Sequence, residues 1–325
     1  MKVKVLSLFD GISCGRLALE RAGFEVEKYY ASEINPYSIQ IAKKNYPDTI
    51  EIGDVRDVEP VWYKDCDLLI GGSPCQNFSF SGKRNGASTK DNVKIVTLEQ
   101  YLEYKKQGFE FDGYSYLFWE YVRILKELKP KYFLLENVKM TKEWQDVITR
   151  ALGVEPIVID SNLVSAQNRH RLYWTNIEGI TQPEDLGLLL KDVLKDTYSE
   201  KEVLSDVIQA RFKLTPNSKS TYGTTKPEFR TIGQRDLVYG DNNKMGCLVA
   251  TDYKQPKQVY HNGVLRKISP EEAELLQTLP EGYTSGISNS RRFECIGNGW
   301  TVDVIAHILS FINTQQNDLR IEEAM

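Results

Sequence analysis

The sequence lacks the features of a secreted, membrane-bound or disulfide-stabilised protein. Its 325 residues include five cysteines at long spacings without any CxxC pair, and three histidines that form no ligand cluster. These spacings argue against a disulfide framework or a zinc site and favour a reducing compartment. No apolar run approaches the roughly 20 residues that span a bilayer. The first nine residues have a strand pattern and not the pattern of a signal peptide. We therefore expect a cytoplasmic protein with no membrane contact and no metal.

The dinucleotide fingerprint GxGxxG is also absent, which disfavours a nicotinamide dehydrogenase. What is present suits a packed globular protein, with 41% hydrophobic and 26% charged residues. The length fits one large domain with a smaller one, or two domains of ordinary size.

Positive charge is concentrated in one part of an acidic chain. The net charge is -4, yet residues 205–267 hold eleven basic and five acidic side chains, which leaves that segment near +6 and the remainder near -10. A basic segment on an acidic protein is a candidate phosphate-binding surface. An ordinary solvated loop region can have the same composition, so charge alone leaves both interpretations open.

Apolar runs alternate with helical patterns in the first half of the chain. We predict strands over residues 2–8, 29–32, 50–52, 67–70, 131–135, 156–159 and 171–175, and helices over 16–22, 36–44, 116–128 and 144–152. Strands that alternate with helices indicate an α/β fold with a doubly wound, mostly parallel sheet.

After Gly179 this alternation weakens. Residues 189–204 have a weak helical pattern, and a polar stretch continues to about Gly263. Helical order returns at Ser269, which we expect to cap a helix, and residues 302–311 form the last helix. We therefore predict a catalytic and cofactor-binding domain over 1–178, a smaller domain over 179–263, and a return to the first domain over 264–325.

One cysteine stands where an open α/β sheet binds ligands. Two glycines and Pro74 stop the strand pattern of residues 67–70, and Cys75 follows directly. Ligands bind beyond the carboxyl ends of such strands, so the thiol is placed to act as a nucleophile. A lone cysteine is more often a buried structural residue, and the neighbouring motifs decide against that here.

Acidic residues follow the neighbouring strands. Glu33, Asp54 and Glu136 would share the edge of the sheet at which the thiol lies. Glu33 follows Gly11 by 22 residues, about where an acidic residue binds ribose hydroxyls in nucleotide sites. Gly11 and Gly15 let the backbone approach a ligand closely. An adenosine without phosphates fits this turn best, with Asp54 accepting from the adenine amino group.

Arg169 and Arg171 would share one face of an extended segment, because side chains alternate along a strand. Such a pair can bind a phosphate or a base carbonyl. Two ordinary surface arginines would show the same spacing.

The motifs resemble, in order, those of the cytosine-C5 DNA methyltransferases over nearly the whole chain. They are Phe9 to Gly15, Glu33, Gly53-Asp54-Val55, Pro74-Cys75-Gln76, Glu136-Asn137-Val138, Gln167-x-Arg169-x-Arg171, residues 266–280 and Gly297-Asn298. The resemblance implies a Rossmann-like S-adenosylmethionine-dependent methyltransferase domain with a small inserted target-recognition domain.

The resemblance implies how S-adenosyl-L-methionine is held and that S-adenosyl-L-homocysteine is the product. Phe9 would stack on the adenine, Glu33 would bind the ribose, and Asp54 with Val55 would read the adenine. The other implied cofactor residues are Gly11, Gly15, Ile34, Pro74, Leu117 and Asn298.

The implied reaction starts when the thiolate of Cys75 adds to C6 of a cytosine that has left the duplex. Glu136 would protonate N3, Arg171 and also Arg169 would hold the O2 side, and C5 would take the methyl group. The C5 proton and the thiol would then leave.

The implied partner is double-stranded DNA. In the family, the loop after the catalytic cysteine closes on DNA, and here that loop is residues 76–86, with Gly82 and Gly86 as hinges. Ser81 would enter the vacated stack, and Lys83 and Arg84 would meet phosphates. Candidate contacts in the inserted domain are Arg211, Lys213, Arg230, Gln234 and Arg235. We expect a monomeric, bacterial or phage-encoded protein, with a cognate restriction endonuclease as a further candidate partner.

Two stretches depart from the family pattern. Residues 87–113 are longer than the usual short link, and 96–106 within them could form a helix that contacts DNA or a partner, or merely lengthens the loop. The last motif reads Gly-Asn-Gly-Trp-Thr-Val, so Trp300 could alter the methionine end of the pocket.

Two rival functions remain. A tRNA cytosine methylase could use the same fold, although the basic segment of some 60 residues favours a DNA-reading domain. A catalytically silent DNA-binding relative should lose the Pro-Cys, Glu-Asn-Val or cofactor motif, and none is lost.

Overall fold

The computed structural model describes residues 1–78, 86–215, 223–226 and 236–324, with the backbone alone at 225 and 314–324. Contacts divide the chain into two compact units. The first comprises Met1–Ile159, His170–Gln182 and Ile305–Met325, and the second comprises Asp160–Arg169 and Pro183–Val304.

Strands and helices follow one another up to residue 175, mostly in alternation. They are β1 (Lys2–Leu8), α1 (Cys14–Arg21), β2 (Glu25–Ser32), α2 (Pro36–Asn45), β3 (Ile50–Glu51), β4 (Leu68–Gly72), α3 (Leu98–Lys106), α4 (Phe118–Leu128), β5 (Tyr132–Val138), α5 (Lys142–Leu152), β6 (Ile157–Asp160), β7 (Gln167–Asn168) and β8 (His170–Thr175).

The later part of the chain has shorter elements. They are α6 (Asp206–Gln209), β9 (Phe212–Leu214), β10 (Gly223–Thr225), β11 (Leu237–Gly240), β12 (Met245–Gly246), β13 (Gln258–His261), β14 (Val264–Lys267), α7 (Pro270–Leu276), α8 (Asn289–Asn298) and α9 (Val302–Ala324).

A seven-stranded sheet with the order β3-β2-β1-β4-β5-β8-β6 forms the framework of the first unit. The pairs β1–β2, β1–β4, β2–β3 and β4–β5 are parallel, and β5–β8 is antiparallel. This confirms the predicted α/β fold with a mostly parallel sheet. The register pairs Leu8 with Ser32 and with Gly71, and Gly72 with Glu136. The carboxyl ends of β1, β2, β4 and β5 therefore meet at one edge.

Local chemistry explains where these elements begin. Leu68, Leu69 and Ile70 are fully buried, as expected for a parallel strand covered on both faces. The side chain of Asn35 accepts from the backbone N–H groups of Tyr37 and Ser38, which caps α2 at its proline start.

The predicted helix over residues 189–204 is wrong. Only Leu190–Asp192 forms a 3₁₀ turn there. The amides of Leu190 and Lys191 donate to the carbonyls of Asn243 and Asp241, which ties this turn to a distant part of the chain. The apolar spacing that suggested a helix places Leu190 and Leu194 in the core of the second unit.

The second unit contains a five-stranded sheet of order β14-β13-β11-β10-β9. Its larger core cluster joins Tyr239, Met245 and Val259 to Leu276 and Phe293. Residues 264–304 thus pack with residues 183–263 in this unit. The functional boundaries at 179 and 263 stay a prediction.

Among the described residues, one stretch, Asn289–Asn313, is long and apolar enough to cross a membrane by length and composition alone. Its most apolar part is mostly buried inside the structure, as in the core helix of a soluble protein, so the stretch is weak evidence for a membrane span.

Candidate active site

The turn that carries the predicted nucleophile is tied to the end of the neighbouring strand. Cys75 lies three residues beyond β4 and is partly exposed. Asn137 of β5 is fully buried, and its Nδ2 donates to the carbonyl of Ser73 at 3.3 Å and to Ser73 Oγ at 3.0 Å. The sequence shows this residue only as the middle of the Glu-Asn-Val motif, and the structure adds a positioning contact.

The strand before the cysteine packs too closely for a side chain at Gly71. A Cβ there would lie 2.9 Å from the carbonyl oxygen of Leu8 and 3.1 Å from the ring of Tyr121. The glycine thus permits β1 and α4 to approach β4 just below the site.

Glu136 and Arg171 form an ion pair beside this turn. Glu136 lies opposite Gly72 on β4 and opposite Tyr173 on β8. The Nε of Arg171 lies 2.9 Å from Glu136 Oε1, and both side chains are about one-tenth exposed. A carboxylate, a guanidinium and a thiol-bearing turn therefore share the carboxyl edge of the sheet.

Arg169 has different partners from Arg171. It is 4% exposed, and its guanidinium donates to the carbonyls of Leu248 at 2.7 Å and Gly299 at 2.8 Å within the second unit. Residue 169 lies between β7 and β8, where the extended segment is interrupted. The two arginines therefore do not share one target in this structure, and a catalytic role for Arg169 stays a prediction.

The carboxylate of Glu33 clamps the first turn of the sheet edge. Oε2 accepts from the amide of Gly11, and Oε1 accepts from the amides of Ile34 and Asn35, each at 2.8 Å. Gly11 has φ +62° and faces open space. The side chain of Ile34 is 63% exposed. An apolar surface next to a carboxylate suits an adenosine, which presents a flat base and ribose hydroxyls.

Asp10 is a site residue to which the motif pattern assigns no separate role. Its carboxylate accepts hydrogen bonds from Ser7 Oγ, Ser13 Oγ and the hydroxyl of Tyr29, at 2.5–2.6 Å. Burial raises the pKa of Asp10, although these three donors oppose the shift. The serines three residues before and after Asp10 were the available signal in the sequence.

The carboxylate of Asp54 forms an ion pair with a neighbouring arginine. Its Oδ2 lies 2.5 Å from one terminal guanidinium nitrogen of Arg56, and Oδ1 lies 3.0 Å from Nε. The Arg56 hydrogen bonds lower the pKa of Asp54. An adenine amino group would have to replace one of these contacts. Because the guanidinium is half exposed, the exchange costs about 0–1 kcal/mol.

The other predicted cofactor residues fall into three settings. Val55 and Leu117 are buried in the core of the first unit, against which Phe9 packs. Gly15 lies inside α1, and Pro74 is partly buried. Asn298 is an exposed residue at the end of α8, in the second unit.

A second carboxylate near the first turn carries a shifted pKa. Both oxygens of Glu51 are buried and have no hydrogen-bond partner among the described residues. Burial, followed by the negative charge of Asp10, raises the pKa of Glu51 to about 7. Acidic groups near this turn are compatible with a cationic ligand such as a sulfonium.

Most of the predicted DNA contacts lie outside the described residues, namely Ser81, Lys83, Arg84, Arg230, Gln234 and Arg235. Arg211 and Lys213 are described, and both are exposed, Lys213 on β9 and Arg211 directly before it. Among the described strands, β9 is the last of its sheet.

The basic segment supplies less surface charge than its composition suggests. Arg266 is fully buried against Glu272 at 2.6 Å, and Lys257 is buried 3.6 Å from Asp252. Among the described residues, no group of three or more His, Cys, Asp or Glu side chains could hold a metal ion.

Comparisons with known proteins place this geometry in a family. A family model described as C-5 cytosine-specific DNA methylase matches residues 3–314. The chain belongs to this family. The type II methyltransferase M1.ScrFI of Lactococcus lactis subsp. cremoris is 30% identical over 94% of this chain and 76% of its own. The type II methyltransferase M.HhaI of Haemophilus parahaemolyticus is 26% identical over 97% of this chain and 95% of its own.

Solved structures of methyltransferases show the same fold. A putative DNA modification methyltransferase from an Escherichia coli prophage has a TM-score of 0.68 and 20% identity, covering 97% of this chain and 99% of its own. A DNMT2 of Spodoptera frugiperda has a TM-score of 0.67 and 19% identity, covering 95% and 99%. The family membership identifies the activity: the chain is a DNA (cytosine-5-)-methyltransferase, which methylates cytosine in DNA.

Proposed function

We propose that this methyltransferase transfers a methyl group from S-adenosylmethionine to C5 of a flipped-out cytosine in a specific duplex sequence, through a covalent bond between Cys75 and C6. The observation that carries the proposal is the pairing of Gly72, the last residue of β4, with Glu136 near the end of β5. The cysteine turn and the Glu136–Arg171 ion pair consequently occupy the same edge.

Each residue has one task in the proposed reaction. The thiolate of Cys75 forms a bond with C6, which makes C5 nucleophilic. Glu136 gives a proton to N3, and the carboxylate that remains lies beside the Arg171 cation, which stabilises it. Arg171 also holds the O2 side of the base. Bound S-adenosylmethionine supplies an electrophilic methyl group. Water then takes the C5 proton, and the electrons of the C5–H bond expel the Cys75 thiolate from C6. N3 returns its proton to Glu136, which restores the aromatic ring and the starting enzyme.

The cofactor residues fit this proposal to different degrees. Glu33, with the open space at Gly11 and the exposed side chain of Ile34, would hold the ribose and one face of the adenine. Asp54 would read the adenine amino group after exchanging a contact with Arg56. Phe9, Val55 and Leu117 would supply apolar surface, and a cofactor role for Asn298 stays a prediction. No part of the proposal requires a metal.

The duplex would be bound by exposed basic groups such as Arg211 and Lys213, together with the loop after Cys75. The base must leave the stack because the thiol cannot reach C6 within a duplex. We propose a monomer, with a restriction endonuclease of the same sequence specificity as a candidate partner.

A mechanism-based trap tests the covalent step. Fluorine at C5 cannot leave as a cation, so duplex DNA with 5-fluorocytosine at the target should stay joined to the protein on a denaturing gel when S-adenosylmethionine is present. The target itself would come first from bisulfite sequencing of DNA from cells that express the protein. Cys75→Ser should give no trapped complex, because a hydroxyl is a far weaker nucleophile than a thiolate at neutral pH.

Cys66→Ser is the matched control. Cys66 is buried, and burial raises the pKa of its thiol to about 12, so its loss should leave trapping unchanged. A complex that persists in Cys75→Ser, or that forms on tRNA and not on duplex DNA, would contradict the proposal.

A further inference from the structure

A single asparagine joins the two ends of the segment that follows the catalytic turn. The carbonyl of Asn77 accepts from the amide of Gly86 at 2.9 Å. Gly86 has φ +62°, and a Cβ there would lie 2.0 Å from the ring of Trp144. Gly86 is therefore a packed end point of the segment, which does not fit the predicted hinge at this residue. Phe78 is fully buried and meets the same tryptophan edge-on at 5.5 Å.

The same asparagine is bonded to the insertion of residues 87–113 and to the turn after it. Its side-chain Nδ2 donates to the carbonyl of Asp112 at 3.1 Å and lies 3.4 Å from Asp112 Oδ2. Its backbone N–H donates to Ser115 Oγ at 3.0 Å. Asp112 in turn donates its amide to the carbonyl of Ser88, which joins the two ends of the insertion.

The insertion is itself fixed to α4. Tyr101 and Lys105 of α3 donate to Oε1 of Glu120, at 2.5 Å and 2.6 Å, and Glu120 is fully buried. The indole of Trp119 donates to the carbonyl of Ile95 at 3.2 Å. A frame with these buried polar contacts resists displacement, because breaking one leaves an unpaired buried group.

The turn Ser115–Leu117 connects this frame to the predicted adenine pocket. Ser115 receives the amide of Asn77. The ring of Tyr116 stacks on Phe111 of the insertion at 4.5 Å. Its hydroxyl, after the carboxylate of Asp54, raises the pKa of Arg56. Leu117 is a predicted cofactor contact. One turn thus contacts Asn77 and lies beside Arg56, the arginine that forms an ion pair with Asp54.

We propose that Asn77 is a positioning residue for Cys75, and that the insertion of residues 87–113 is the frame that holds it. The inference rests on the proposed function and adds a role for a stretch that the family pattern leaves unexplained. The frame sets where the segment after the cysteine enters and leaves, so that the thiol two residues earlier meets C6 at a fixed position.

The chemistry of the Asn77–Asp112 bond supplies a selective test. Asn77→Asp keeps the shape of the side chain but replaces an N–H donor with an ionised acceptor that faces a carbonyl and a carboxylate. Protonation at lower pH restores an O–H donor, and the buried, acidic surroundings raise the pKa of such a carboxyl. Asn77→Ala has no donor at any pH.

The measurement is the single-turnover rate of covalent trapping on duplex DNA that contains 5-fluorocytosine, relative to wild type at the same pH. Asn77→Asp should trap about tenfold more slowly at pH 8 and within about twofold of wild type at pH 6. Asn77→Ala should be about tenfold slower at both values. Affinity for S-adenosylhomocysteine, measured by calorimetry, should change less than about twofold, because the amide lies outside the predicted cofactor contacts.

Asn45→Asp is the matched control. Asn45 also donates its Nδ2 to a backbone carbonyl, that of Ile41 at 2.9 Å, at the far end of α2. Its substitution should leave trapping at the wild-type rate at both pH values. If Asn77→Asp fails to fold, Ser115→Ala serves instead, because it removes only the hydroxyl that accepts from Asn77 and should slow trapping by about fivefold.

Equal trapping rates for Asn77→Asp and wild type at pH 8 would overturn the proposal, and so would a deficit that pH 6 does not reduce. Hydrogen exchange at the Gly86 amide reports on the Asn77–Gly86 hydrogen bond independently of the trapping reaction. The exchange rate should rise by about tenfold in Asn77→Asp at pH 8. Absence of trapping in wild type would refute the covalent mechanism. The exchange rate would then still decide whether the side chain of Asn77 stabilises the Asn77–Gly86 hydrogen bond.

Discussion

Replacement of Glu33 by alanine should weaken cofactor binding without unfolding the protein. The carboxylate accepts three amide hydrogen bonds at 2.8 Å, and a carboxylate offers about four acceptor sites. One site therefore remains for a ribose hydroxyl. A hydrogen bond to a charged acceptor contributes about 1.5–3 kcal/mol, so its loss should raise the Kd for S-adenosylhomocysteine by about 10- to 100-fold.

The same substitution also releases the first turn. The amide of Gly11 loses its acceptor, and the amides of Ile34 and Asn35 lose theirs at the start of α2. These groups lie near solvent and can bind water, so we expect a loss of about 1–3 kcal/mol in the free energy of unfolding. The fold should survive, since the sheet below the turn keeps its contacts.

Calorimetry with S-adenosylhomocysteine and thermal melts of the apo-protein separate the two effects. Glu25→Ala is the matched control. Glu25 is the first residue of β2, the strand that Glu33 follows, and it forms an exposed ion pair with Lys2 at 3.2 Å. Such surface pairs contribute about 0–1 kcal/mol, so affinity should not change. Unchanged affinity in a folded Glu33→Ala protein would refute the assignment of Glu33 to the ribose.

Other residues of the site and of the second unit give three further predictions. Arg56→Ala should free Asp54 and lower the Kd for S-adenosylhomocysteine by up to about fivefold, whereas weaker binding in calorimetry would mean that Arg56 orients Asp54. The raised pKa of Glu51, about 7 against 4.5, means that wild type loses stability as pH rises from 4.5 through 7. Glu51→Gln should therefore have the melting temperature of wild type at pH 4.5 and a higher one at pH 8, where its free energy of unfolding should exceed that of wild type by on the order of 1 kcal/mol after allowing for partial exposure. A difference in melting temperature that stays constant across this pH range would contradict the burial of the charge. Arg211→Glu with Lys213→Glu should reduce the salt slope of DNA binding by about 2, with the exposed Lys126→Glu as a control that leaves it unchanged; an unaltered slope in the double variant would exclude β9 from the DNA surface.

The sheet and its ligand edge were predictable because their signals are local. The apolar run before Gly71, and the one before Glu136, each identify a buried strand and the polar residue that follows it. Parallel strands place those residues at one edge, so the strand pattern alone associates Cys75 with Glu136. The ordered motifs then restricted the chemistry.

The contacts that were not predicted depend on distant partners. Arg169 and Arg171 have the spacing of a pair, but the backbone between β7 and β8 directs one guanidinium to Leu248 and the other to Glu136. Arg266 adds positive charge to the sequence of the basic segment, yet it is buried against Glu272. Neither fact has a local signal, because tertiary contacts decide which side chains reach solvent.

The Asn77–Gly86 hydrogen bond has a practical consequence for protein engineering. The bond joins Asn77 and Gly86, the residues on either side of positions 78–85. A segment substituted between them would therefore begin and end at two residues that are already bonded to each other. When the ends of a loop are fixed, doubling its length adds only about 0.6 kcal/mol of closure entropy. This interval is accordingly a suitable site for transplanting the corresponding segments of related enzymes, or for libraries of varied length, provided that Gly86 is retained above Trp144.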